Sequence, residues 1–129
     1  AIFEKAALNA DQDDIEAMEN IYEQMEKNQN ENMGYGNLDL KFHMQIAKAT
    51  HNDIFPILVH TLYECSGQRM MLMEDLFPES MKSIHRDHYG ILDAIKRRDV
   101  KAVRRIGKRH FDLDRYMLLS MNEIEEKTK

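Results

Sequence analysis

A chain of 129 residues falls in the range of one ordinary domain and can bury about two-thirds of the surface its unfolded form exposes. With 43% hydrophobic and 32% charged residues, the composition excludes a collagen-like repeat and a charge-dominated disordered chain. A formal net charge of -5 argues against a domain that wraps phosphate backbone across its surface, so any nucleic acid should be touched by another domain.

The opening AIFEKAALNA has no basic region followed by an apolar core, and no run approaches the roughly 20 apolar residues of a membrane span. Cys65 stands alone, which forbids an internal disulfide and fits a cytoplasmic setting. Apolar periodicity then predicts helices throughout. Ile15, Met18, Ile21, Tyr22 and Met25 recur at helical spacing after Asp11 or Asp13 as caps, and this helix should fade near Asn28. NQNENMGYGN reads as a loop, with Asn37 capping a helix that carries Asp39 and His43 and runs to about Thr50.

HND turns the chain into a long helix from Ile54 to Leu76, with Pro56 in its first turn and an expected inward stripe of Leu58, Leu62, Cys65, Arg69, Leu72 and Leu76. A further helix is expected from Ser80 to Arg97, with Met81, Ile84, His88, Ile91 and Ile95 on one stripe. Asp99 should cap the last helix, whose stripe is Val103, Ile106, His110, Leu113 and Met117 before a charged tail, NEIEEKTK, that should fray. The methionines, ten in all, read as adaptable core filler, with Met70, Met71 and Met73 able to line a pocket or partner surface instead. The whole reads as an all-α chain in a single domain, 1–129.

Of the six histidines, His51, His60 and His85 suit the ordinary reading of an imidazole that faces water or caps a carbonyl. His43, His88 and His110 each replace an apolar residue within a stripe, and Asp39 shares a helix face with His43 four residues on. His88 lies 10 residues before Arg98 and His110 lies 11 after Asp99. In an antiparallel hairpin those two imidazoles stand at the same height above the turn. A buried polar group without a partner costs roughly 1 to 3 kcal/mol, so the four must satisfy one another, reach solvent or bind a cation. Three neutral imidazoles with one carboxylate suit a divalent transition metal: zinc first, with nickel, cobalt, manganese or iron as alternatives. No Glu-x-x-His pair, His-Glu-x-x-His, Gly-rich phosphate loop or Cys-x-x-Cys is present.

The stretch DLKFH, Asp39 to His43, followed by AKATHN, and the stretch HYGILDAIKRRDVKAVRRIGKRH, His88 to His110, resemble the FCD-type ligand-binding domain that lies carboxy-terminal to the winged helix of GntR-family bacterial transcription regulators. The resemblance implies an all-α antiparallel helical bundle whose core holds a metal on an Asp and three His, carried over here to Asp39, His43, His88 and His110. It also implies a small organic acid as effector, a homodimer, and operator DNA bound only through a winged helix-turn-helix domain preceding this chain, whose first bundle helix AIFEKAALNA would then be truncated. On this reading Arg69 is the candidate guanidinium for the acid, and no membrane partner is expected. Two alternatives are a metal-dependent hydrolytic enzyme, for which Glu64 or Asp93 would be the general acid or base, and a helical interaction module with a structural metal. The basic cluster Lys96, Arg97, Arg98, Lys101, Arg104, Arg105, Lys108 and Arg109 reads as a solvated face, with a neighbouring domain, an acidic partner or weak phosphate binding as the other options.

Overall fold

The computed structural model describes residues 1–28 and 35–128, with the side chains of residues 35, 36, 66–75 and 118 outside the description. Among the described residues there are six α-helices and no strand: α1 (Ile2–Asn9), α2 (Gln12–Asn28), α3 (Tyr35–Ala49), α4 (Ile54–Leu76), α5 (Pro78–Lys96) and α6 (Val100–Thr128). None of the helices is long and apolar enough to cross a membrane.

Local chemistry sets most of the boundaries. Asp11 caps α2 as expected: its Oδ1 accepts from the Asp14 N–H at 2.8 Å while Asp14 Oδ2 accepts from the Asp11 N–H at 3.0 Å, a reciprocal pair that satisfies two N–H groups a helix start leaves open. Asn37 is not the cap of α3, because the helix already begins at Tyr35; most of the stretch read as a loop, residues 29–34, lies outside the described residues. Asn52 Oδ1 accepts from the Ile54 N–H at 3.1 Å and starts α4 at the expected residue. Helix α5 begins at Pro78 rather than Ser80, since proline at a first helical position sacrifices an N–H that has no intrahelical partner anyway. The charged tail continues α6 to Thr128 instead of fraying.

The α5–α6 turn is short and closed by backbone hydrogen bonds. Arg98 sits at φ 59°, its N–H bonds to the Ile95 carbonyl at 3.1 Å, and the Asp99 N–H reaches back to the Ala94 carbonyl at 2.9 Å. This left-handed helix ending usually takes glycine. Here the Arg98 side chain compensates by donating to the Ala7 carbonyl at 3.1 Å, tying the turn to the end of α1. Asp99 then caps α6 by accepting from the Ala102 N–H at 3.0 Å.

The main core joins Phe3, Ala6 and Ala7 of α1, Ile15, Met18 and Met25 of α2, Phe42 and Ile46 of α3, Ile91 and Ile95 of α5 and Val103 of α6. A smaller cluster of Ile84, Met117 and Met121 lies further along the α5–α6 pair. Helix α1 closes on α6 because position 107 is glycine: a Cβ there would fall 2.5 Å from the Phe3 ring. The expected inward stripe of α4 is overturned for its described aliphatic members. Leu58, Leu62 and Leu76 are exposed, as is Cys65, and the buried side carries Val59. Apolar residues occupy almost every side of the first half of α4, so periodicity alone could not choose the face.

Candidate metal centre

Three helices deliver the predicted constellation. Asp39 and His43 come from α3, His88 from α5 and His110 from α6, and all four side chains are buried. His88 lies between Ile84 and Ile91 on the α5 stripe, and His110 between Val103 and Met117 on α6, so the polar group sits where the two apolar clusters meet. The equal heights expected from the short hairpin are realised: the His88 and His110 ring centroids are 4.9 Å apart, and His43 lies 5.3 Å from His88 and 5.4 Å from His110.

One nitrogen from each imidazole falls within 4.8 Å of the other two. Asp39 joins through two of them, with Oδ1 2.9 Å from His88 Nε2 and 3.2 Å from His43 Nε2. Its other oxygen, Oδ2, accepts from the Tyr63 hydroxyl at 3.1 Å. Despite these approaches, Asp39 Oδ1 and His110 Nδ1 are buried without a well-formed hydrogen bond among the described residues. Each such orphan costs roughly 1 to 3 kcal/mol. A cation among the four groups would satisfy both, and three imidazole nitrogens with a carboxylate oxygen match borderline divalent metals, so the residues fit a metal.

Electrostatics prepares two of the imidazoles as neutral donors. Burial pushes His110 down to about 2, helped by the charges of His88 and His43, and burial also lowers His88 although Asp39 opposes it. His43 moves the other way, because Asp39 outweighs the desolvation that disfavours its charged form. Asp39 itself would be raised by burial, but His43 and His88 hold it well below the usual carboxylate range. The charged forms of Asp39 and His43 therefore favour each other, and a metal at His43 would compete with its protonation.

Two carboxylates near this centre carried no signal in the stripe argument, because each lies off the apolar period. Asp87, one residue before His88, is buried; its Oδ1 takes the Arg109 Nε at 3.1 Å, and its Oδ2 lies 3.9 Å from His110 Nδ1. Asp114, one turn beyond His110, places Oδ2 3.7 Å from His110 Nε2. Burial, and then the charge of Asp39, pushes Asp114 up to about 7, and the charge of Asp114 is felt in turn by His43. Their signal was the (i, i+4) relation of Asp114 to His110 and the adjacency of Asp87 to His88.

The side chains of Arg69, Leu72, Met70, Met71 and Met73 are outside the described residues. His60 is exposed beside Glu64, and Asp93 pairs with Arg97 at 2.9 Å on the surface, so neither Glu64 nor Asp93 stands at the imidazoles. His51 bonds Asp14 at 2.7 Å. His85, read from the sequence as an imidazole that faces water or caps a carbonyl, is buried: it stacks on Tyr22 at 5.1 Å and meets Glu26 Oε1 at 3.0 Å. Much of the basic cluster is paired on the surface, Lys96 with Glu19 at 3.0 Å and Arg104 with Glu4 at 3.0 Å. A cleft of about 540 Å³ lined by Ser83, Arg86, Asp87, Arg109 and Tyr116 touches the centre only through Asp87. A family model described as the FCD domain matches residues 1–113, and the comparison with curated proteins found no match.

Proposed function

The chain belongs to the FCD domain family, the carboxy-terminal regulatory domain of GntR-family regulators, and from that premise we propose that it senses a small organic acid through a divalent metal held by Asp39, His43, His88 and His110. The observation that carries the reading is the burial of three imidazoles, one nitrogen of each within 4.8 Å of the other two, beside Asp39, with a polar atom of Asp39 and one of His110 left without a well-formed hydrogen bond. The metal, with zinc first in line, would supply a Lewis acid for a carboxylate oxygen. The protein's own residues hold the imidazoles in place, keep two of them neutral and fix Asp39 through Tyr63. Arg69 is retained only as the sequence's candidate for a second oxygen of the acid.

Acid binding then biases the packing of α3 against the α5–α6 pair, a population shift no larger than the acid's differential affinity for the two arrangements. In a homodimer that shift would be read by winged helix-turn-helix domains, through which operator DNA would be bound. A hydrolytic enzyme finds less support, since the carboxylates named for it are engaged on the surface, Glu64 beside His60 and Asp93 with Arg97.

The test is metal content with acid binding. The chain should carry about one divalent ion per copy, lose it in the His88→Ala, His110→Ala double variant, and lose acid affinity when a chelator strips the ion while circular dichroism still reports the helices. Stoichiometric metal in the double variant would overturn the ligand set. Undiminished acid affinity in the folded, metal-free chain would place recognition elsewhere.

A further inference from the structure

The first half of α4 turns an apolar side outward. Ile54, Ile57, Leu58 and Leu62 are 62%, 66%, 49% and 65% exposed, and Cys65 beyond them is exposed as well. At about 100° per residue, these five and Thr61 fall within about 140° of the helix circumference. They stand opposite the buried Val59 and Tyr63, whose hydroxyl donates to Asp39 of α3. The Thr61 hydroxyl donates to the Ile57 carbonyl at 2.8 Å, so it asks nothing of a partner. Leu76, exposed at the far end of α4, lies about five turns from Leu58 and so on the same side. The other exposed large apolar residues among those described are spread over α1, α5 and α6. A contiguous aliphatic patch on one helix marks an interaction site, whereas single exposed apolar residues do not.

Charge narrows the kind of partner. From Ile54 to Cys65 the helix has no lysine or arginine and one acid, Glu64, which sits at the edge of the stripe 3.6 Å from His60. A helix that lies on a membrane surface uses a basic flank, and a charged peptide needs charges to meet it. The stripe offers neither. It is complementary to itself: laid against its own copy about a two-fold axis, it covers aliphatic groups with aliphatic groups and opposes no like charges along its centre. Ile54 to Cys65 spans about 17 Å at 1.5 Å per residue, enough for the apolar centre of an interface of about 800 Å² per partner, with His60 and Glu64 in its polar rim.

We infer that the outward side of α4 is the face on which two copies of this chain meet, α4 against α4 about a two-fold axis near Leu58, the middle of the aliphatic group. The inference gives a surface to the homodimer proposed above and rests on that part of the reading, independently of metal and acid. It also places α4 between the second copy on one side and, through Tyr63, Asp39 on the other.

Sedimentation of the chain from about 1 µM to 1 mM, before and after chelator treatment, should show a monomer–dimer equilibrium. Leu58→Glu and Leu58→Lys should each weaken it by about tenfold or more, while circular dichroism of the dilute monomer stays unchanged because the residue is exposed there. Leu58 meets its own counterpart, so a mixture of the two variants should be more dimeric than either alone. Leu8→Glu, which alters an equally exposed leucine on α1, should leave the equilibrium as it was. Dimers that survive Leu58→Glu, or that Leu8→Glu dissolves, overturn the α4 surface and leave the homodimer standing. A mixture no more dimeric than its components overturns the two-fold meeting at Leu58. A chain that stays monomeric at every concentration overturns the homodimer itself, and the inference with it.

Discussion

Helices α4 and α5 are both long and rich in apolar residues, yet they are used in opposite ways. On α5 the apolar stripe is buried, with Ile91 and Ile95 wholly inaccessible, and it carries His88 into the core. On α4 the aliphatic residues Ile54, Ile57, Leu58 and Leu62 are exposed at 49–66%, and Val59 is the one buried aliphatic among its described residues. The difference lies in the polar residues. Lys82, Arg86 and Lys96 are exposed on α5 and mark the side that must face water, leaving only one orientation. The amino-terminal half of α4 offers too few charges to mark a side, so the face is chosen by the partners available, here α3 through Tyr63 and Asp39.

Three substitutions break or sharpen that contrast. Ile91→Ala removes a wholly buried side chain from the main core and should cost about 2 to 5 kcal/mol of unfolding free energy, measured by denaturant titration of the metal-free chain. Gly107→Ala tests the close approach of α1 to α6: a Cβ 2.5 Å from the Phe3 ring should cost about 1 to 3 kcal/mol through overpacking, offset by the better helix propensity of alanine, about 1 kcal/mol. A net loss of stability is expected, reversed when Phe3→Leu accompanies it. Smallest is Ile57→Ser on the exposed side of α4, expected to shift stability by less than about 0.5 kcal/mol at concentrations where the chain is monomeric. A loss as large as that of Ile91→Ala would mean that this side of α4 is covered, and the contrast would fall.

The site was more legible in the sequence than its surroundings. His43, His88 and His110 could be singled out because each interrupts an apolar stripe with a polar group, and Asp39 because it shares a helix face with His43; burial then forces polar groups to meet. The α5–α6 register could be read because Asp99 announces a helix start and leaves only a short turn before it. The face of α4 was hidden for the reason above. The cap of α3 was misread because Asn37 has the right chemistry in a chain whose helix had already begun. Asp114 and Asp87 were invisible to a search for interrupted stripes: both sit at the edge of a buried face, and only the tertiary packing decides that such a residue turns inward.

The left-handed Arg98 makes the α5–α6 turn a fixed-length spacer between two buried imidazoles, His88 and His110. Each residue of an α-helix advances its side chain by about 100°. An insertion or deletion of a single residue between Arg97 and Val100 would therefore rotate His110 out of line with His88, although every helix would survive intact. It would also pull the Arg98 guanidinium from the Ala7 carbonyl, releasing the end of α1 in the same event. Length variation should accordingly be rejected at this turn more strictly than almost any point substitution within it, and the place where the chain looks most like an ordinary connector is where it has the least freedom to change its count.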